Sequence, residues 1–376
     1  MSHHYLKINL FLRLLFILVG ISLGYTCQAE ESFPNSEPKI DIAVLLTNDP
    51  LWMKALKKPE WLVSGKQRDG KKIAFLSFAD RSVSGSGSRR ETDKGRLTRS
   101  VPLFMMESFF HKTNADTYML IPTIYGEGPV LTRFEWPQEK INQMVDLEDT
   151  QKIDFVVTGA IDEPTPGIWA LKIVIWDIIN QTVSKTSEYE ATAESFGLVV
   201  LKAKNDLIEY FASISALKIV PAPNFYKDPS PLNIDQYLLV YGQLLPLNLA
   251  ANDIMSAEDI WGKEEILNAA WKLIGKAENS KVPVFLFLAE LNRMSQIDST
   301  AFQAFRYKAM TLMLEKKDSV ILKLAPFIYY LYDVKDKFNS SREKLSKEAD
   351  DDGLRKWLEG IDKPQNISKE NKTAKS

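Results

Sequence analysis

The sequence predicts an α/β (α+β) N-terminal domain with a mixed sheet and flanking helices, followed by an all-α helical bundle or short solenoid. Three observations carry this expectation. Residues 152–193 (KIDFVVTGAIDEPTPGIWALKIVIWDIINQTVSKTSEYEATA) read as three consecutive strands joined by two tight turns. Residues 195–211 then change to helical spacing. Past a stretch with four prolines at 216–233, apolar residues recur at helical spacing to about residue 361.

In chain order, KIDIAVLL (39–46) is a short strand. NDPLWMKALKKPEW is a short helix, with Asp49 as its cap, Pro50 in its first turn and Pro59 as its stop. KKIAFLSFAD (71–80) is apolar on both faces through Ile73, Phe75, Leu76 and Phe78, which places it centrally. The segment 81–99 follows, with Gly85, Gly87, Gly95 and six basic residues, Arg81, Arg89, Arg90, Lys94, Arg96 and Arg99, against Glu91 and Asp93. It reads as a solvated loop ahead of the helix SVPLFMMESFFHKTN. TYMLIPTI is a strand, 124–137 a Gly- and Pro-containing loop, and Pro137 opens the helix PQEKINQMVDLED.

The meander comes next. Ile153, Phe155, Val157, Gly159 and Ile161 share one face of its first strand, and DEPTPG makes a hairpin connection. Trp169, Leu171, Ile173 and Ile175 share one face of the second, whose other face, with Val174 and Trp176, is also mostly apolar; both sides should be covered. VSKTSEYEATA suits a sheet edge with one wet face. The following helix carries Phe196, Val199, Val200, Ala203, Leu207, Tyr210 and Phe211 as one apolar stripe.

The predicted boundaries are a signal peptide at 1–29, a flexible leader at 30–38, the α/β domain at 39–215, a Pro-rich linker at 216–233, a helical domain at 234–361 and a disordered tail at 362–376. The helical part divides into five helices with short links. The first is interrupted by Pro246, the third starts at Pro283, the fourth is capped by Ser299 or Thr300, and the fifth is capped by Asp318 or Ser319 with Pro326 inside it. A 34-residue repeat with the expected landmarks is absent.

Compartment follows from the N-terminus. Lys7 and Arg13 precede LLFILVGISL, an apolar core of about ten residues, too short for the ~20 a spanning helix needs and built like a secretory signal. Cleavage before Glu30 leaves 45 basic against 49 acidic residues, and removes Cys27, His3 and His4. The expected localisation is periplasmic or secreted. A lipoprotein anchored through Cys27 is the alternative, although Gly24-Tyr25-Thr26 departs from the usual residues before a lipidated cysteine. No later run is long and apolar enough for a transmembrane span.

This inventory restricts the chemistry. The mature chain has no thiol and one histidine, His111, so disulfides, zinc ribbons and a cysteine nucleophile are excluded. His111 reads as a helix-end residue near the negative pole of the macrodipole. The mild acidity argues against a nucleic-acid partner. The order of strand, glycine loop and helix at 71–114 suggests a phosphate loop, but no Gly-Lys-Ser/Thr triplet occurs, and Arg90 stands where a dinucleotide fingerprint needs its third glycine. No cofactor is expected.

The element order and three segments resemble the amino-terminal domain of TolB and related envelope proteins, an anticodon-binding-domain-like α/β fold. IAFLSFAD is similar to that family's opening strand, DFVVTGAID to its Asp–apolar–apolar–Gly strand, and LKIVIWDIINQTV, with Trp176-Asp177, to the strand before the next hairpin. The resemblance covers about 71–212. The 81–99 segment is longer than in that family, and no β-propeller follows. The resemblance implies an exported domain that meets other envelope proteins, with no catalytic residues to carry over.

The expected function is therefore that of an exported, non-catalytic envelope or periplasmic protein acting as a protein-interaction or assembly scaffold, with other envelope proteins as partners and no catalytic or metal residue. Two alternatives stay open. A glycosidase-like, carboxylate-dependent hydrolase could draw on Asp162-Glu163 or Asp350-Asp351-Asp352, provided two acids face each other across ~5–9.5 Å. The 81–99 segment, through Arg81, Arg89, Arg90, Lys94, Arg96 and Arg99, could instead bind an anionic polymer or partner.

Overall fold

Eight strands form one mixed sheet in the order β1-β4-β2-β6-β7-β8, with β3 paired to β6 and β5 to β4. The computed structural model describes residues 42–63, 65–82, 92–146, 152–277, 280–315 and 318–363. The predicted signal peptide and leader, Cys27, Arg89, Arg90 and the tail from residue 364 lie outside the described residues.

β1 (Ile42–Thr47) runs antiparallel to β4 (Asp116–Ile124). β2 (Lys72–Leu76) lies parallel between β4 and β6 (Phe155–Thr165), the central position its two apolar faces predict. β3 (Ala79–Asp80) and β5 (Gly128–Pro129) are two-residue additions. β6, β7 (Ile168–Asp177) and β8 (Thr182–Thr192) make the antiparallel meander, and β8 is an edge. Gly159 permits a close pass here: a Cβ at that position would stand 1.9 Å from the carbonyl oxygen of Lys172.

Alternation sorts the strand residues onto two dry faces. Ile73, Phe75, Met119, Phe155, Val157, Leu171 and Ile173 join the large apolar cluster. Ala74, Leu76, Tyr118, Leu120 and Val156 join a smaller one under α3 (Gln138–Val145). On β7, Ala170, Lys172 and Trp176 are only half-buried, so the second face of this strand is less covered than its composition predicts.

The large cluster begins with two helices, of which the second lies against the sheet. α1 (Leu51–Ala55) precedes β2, and α2 (Asp93–Lys112) follows β3. Asp49 does not cap α1; its carboxylate meets Arg68 at 3.3 Å and Lys58 at 3.7 Å. α2 starts seven residues before the predicted Ser100, because Thr92 caps it by accepting from the Gly95 amide at 3.1 Å. α4 (Phe196–Ser213) covers β7 and β8, and Tyr189 of β8 donates to its Asp206 at 2.9 Å.

The Pro-rich segment 216–233 is not a free linker. Val220 N–H donates to the Lys112 carbonyl and Lys281 N–H to the Phe225 carbonyl, each at 2.8 Å, and Phe225 and Tyr226 are buried. It is a strap running between sheet and helices, and the apolar cluster is continuous across it. The described residues accordingly fall within a single contact unit, where two domains are predicted from sequence.

α5 (Ile234–Ala250) crosses α2 closely at Gly242, where an added Cβ would come within 3.0 Å of the Ser100 Cβ. Pro246 lies inside α5 and does not end it. α6 (Lys263–Lys276) and α7 (Val282–Ile297) pair behind α5. The two remaining predicted helices are each divided. Asp298, not Ser299 or Thr300, caps α8 (Ser299–Ala304), and α9 (Arg306–Glu315) follows a break at Phe305. Asp318 caps α10 (Ser319–Lys323), and α11 (Ala325–Leu331) places Pro326 in its first turn, where no amide is needed. α12 (Lys335–Glu348) and α13 (Asp352–Gly360) close the described chain. No described helix is long and apolar enough to cross a membrane.

Candidate functional site

The predicted basic segment and the predicted acidic hairpin meet each other. Arg81 lies 3.4 Å from Glu135 and 3.7 Å from Asp162, and Lys94 pairs with Glu163 while standing over the Trp169 ring. The Lys94 ammonium holds the Glu163 carboxyl below the usual carboxylate range. Lys94, Arg96 and Arg99 belong to the first two turns of α2, not to a loop. Arg99 is buried, and its Nε donates to the Gly242 carbonyl at 2.8 Å. Arg81 and Lys94 are thus paired with Asp162 and Glu163, and Arg99 is tied to α5 (Ile234–Ala250) through Gly242.

The most concentrated polar chemistry lies where α2 meets the helices. From Val101 to His111 α2 is apolar apart from Glu107, Ser108 and His111. Glu107 accepts from Trp52 Nε1 of α1 at 2.6 Å on one oxygen and from the Tyr237 hydroxyl of α5 on the other. Burial pushes its carboxyl up to about 7, against the effect of these two donors. Ser108 Oγ lies 2.9 Å from the Tyr226 hydroxyl, which donates to Asp228 at 3.2 Å. The other Asp228 oxygen receives Lys112 and Lys204. Despite its burial, Asp228 is held below the usual carboxylate range by these two lysines, and desolvation lowers the Lys204 amine to about 8.

His111 does not act as a charged helix-end group. It is stacked on Tyr226 with ring centres 4.3 Å apart, and edge-on to Phe225 at 5.4 Å. Neither ring nitrogen has a hydrogen-bond partner among the described residues. Burial, helped by the positive charge of Lys66 and Arg68, lowers its pKa well below the ordinary imidazole value, so it is neutral.

Two cavities adjoin this region. One, of about 190 Å³, lies between the strap and the α6–α7 turn; Asp228, Asn233, Tyr237, Lys276 and Ser280 contribute to its wall. Glu107 does not line it; Tyr237, its hydrogen-bond donor, does. The other is an open cleft of about 480 Å³ lined by Asp49, Lys58, Glu60, Arg68 and Asp351. Its acids are largely committed. Asp49 binds two cations, and Asp351 caps α13 by accepting from the Gly353 amide at 2.6 Å. Asp352 pairs with Arg355 at 3.3 Å. No group of three or more His, Cys, Asp or Glu residues able to hold a metal occurs among the described residues.

The surface of the helical part is different. Trp261, beside the left-handed Gly262 that starts α6, is 83 % exposed. Tyr307 and Leu314, seven residues apart on one side of α9, are 80 % and 79 % exposed. Lys308 ties α9 to α6 through Asn268 at 2.8 Å.

Sequence reasoning assigned no role to Glu107 or to Glu290 of α7, a buried carboxyl with no hydrogen-bond partner among the described residues. The available signal was a lone acid within an apolar helix, LFMMESFF and VFLFLAELNRM. The fold and these sites define a mixed α/β sheet protein extended by a helical layer. No protein-family model and no curated protein matches the chain.

Proposed function

We propose that this is an exported, non-catalytic envelope or periplasmic protein that works as a protein-interaction or assembly scaffold. One contrast carries the proposal: Glu107 and Asp228 are engaged by neighbouring side chains inside the fold, whereas Trp261, Tyr307 and Leu314 stand exposed. A catalytic pair needs two acids that a substrate can reach. Glu107 is enclosed by Trp52 and Tyr237, Asp228 is bound to two lysines, and Asp162-Glu163 serve Arg81 and Lys94. Large exposed aromatic and aliphatic side chains are the usual anchors of a protein interface. The TolB-like resemblance of 71–212 and the signal-like N-terminus support an envelope setting and envelope partners.

The test places a photo-crosslinking residue in turn at Trp261, Tyr307 and Leu314 in the native host, with exposed Glu348 as the control position. The reading expects one envelope protein captured from the three positions, not from the control, and the chain recovered outside the cytoplasm. Capture indistinguishable from the control, or a cytoplasmic chain with its first 29 residues intact, would falsify it.

A further inference from the structure

Glu107 is the point at which three helices share a polar contact. It projects from α2, which lies on the sheet; Trp52 reaches it from α1 and Tyr237 from α5. The carboxyl is fully buried, and its two oxygens are divided between the two donors.

We propose that Glu107 is a proton-operated clasp: with its proton bound, α5 is held firmly on α2, and losing that proton as the surroundings become alkaline slackens the hold. The geometry explains the direction. An ionised carboxylate here has two neutral donors and, among the described residues, no cation of its own, and two such hydrogen bonds only partly replace lost hydration. The two lysines that could have neutralised it, Lys112 on α2 and Lys204 on α4, are both taken by Asp228. The strap adds Asp228 itself, whose charge also disfavours ionisation of Glu107, and the phenol Tyr226. From α5 the remaining titratable neighbour is Tyr241, and α7, packed on α1 and α5, carries Glu290 and Arg293. His111, one turn on, stays neutral. With its pKa at about 7, Glu107 changes charge near neutrality while sitting between the layers; Lys204, lowered to about 8, is shared by the native chain and the Glu107 variant and so drops out of their comparison. Tyr237, which donates to the carboxyl, also forms part of the wall of the 190 Å³ cavity.

Thermal midpoints of the full chain, Glu107→Gln and Tyr237→Phe, followed from pH 5.5 to 8.5 at constant ionic strength, test the clasp. The native midpoint should fall relative to Glu107→Gln by about 2–4 °C as pH rises across this range. Tyr237→Phe removes a donor that favours the charged form, so its fall should continue to higher pH than in the native chain. If Glu107→Gln does not fold, the native and Tyr237→Phe curves still differ in this way. Parallel curves for all the variants that fold would overturn the proposal.

Discussion

The Asp228 carboxylate binds the amine of Lys204, a lysine whose side chain has no exposed surface. The same oxygen receives Lys112, so one acid serves two cations where the strap crosses α2 and α4. Asp228→Asn would leave a buried lysine without its counter-charge, at a cost of about 3–5 kcal/mol. Urea denaturation at pH 7 checks this. Because the folded Asp228 is held below its ordinary pKa, its contribution is present above the unfolded value of 3.8 and is lost as pH falls through the folded one.

Glu290 should behave in the opposite way. Its carboxyl is fully buried without a hydrogen-bond partner among the described residues, and burial raises its pKa well above the ordinary value. Its folded form binds a proton more tightly than the unfolded chain, so stability declines as pH rises above 4.5. Glu290→Met keeps the approximate volume and removes the polar group. It should stabilise the protein by about 1–3 kcal/mol at pH 7, read as a higher urea midpoint with an unchanged denaturant slope.

His111 supplies an acid-side effect. The folded imidazole stays neutral at pH values where the unfolded one, near 6.5, takes up a proton. Stability should therefore decline as pH falls below 6.5. His111→Phe, placed in the same aromatic surroundings, should flatten the pH 5–6.5 limb of the midpoint profile while leaving the alkaline limb in place.

Gly159→Ala should be among the most damaging small substitutions in the sheet. The new methyl would stand 1.9 Å from the Lys172 carbonyl oxygen, so β6 and β7 must separate to admit it. A cost of about 1–3 kcal/mol or more follows, with faster amide exchange along β6 and β7 as the direct measure.

The sheet was more legible in the sequence than the layer behind it. Period-two alternation in 153–177 and the polar run at 182–192 fix strand faces and an edge locally, and both are observed. Proline content at 216–233 carries no comparable information about tertiary anchoring. The burial of Phe225 and Tyr226 is set by residues far along the chain, and it turns an expected linker into a strap. The start of α2 was obscured for a related reason. Gly95 and the surrounding charges look like loop, but Thr92 caps the helix and Glu163, from the hairpin, holds Lys94. Glu107 shows the limit at the candidate site: a lone acid among apolar residues announces burial, while Trp52 and Tyr237 are named only by the fold.

Trp357 of α13 donates its indole N–H to the Leu56 carbonyl at 2.8 Å and meets the Trp61 ring, and Lys57 Nζ reaches the Lys363 carbonyl at 2.9 Å. The described chain therefore closes on itself, its first and last described helices fastened by partners about three hundred positions apart. A polypeptide emerging N-terminus first cannot complete this closure until nearly all of it has been delivered. Truncation near residue 356 would therefore remove contacts made by the first described helix as well as those of the last.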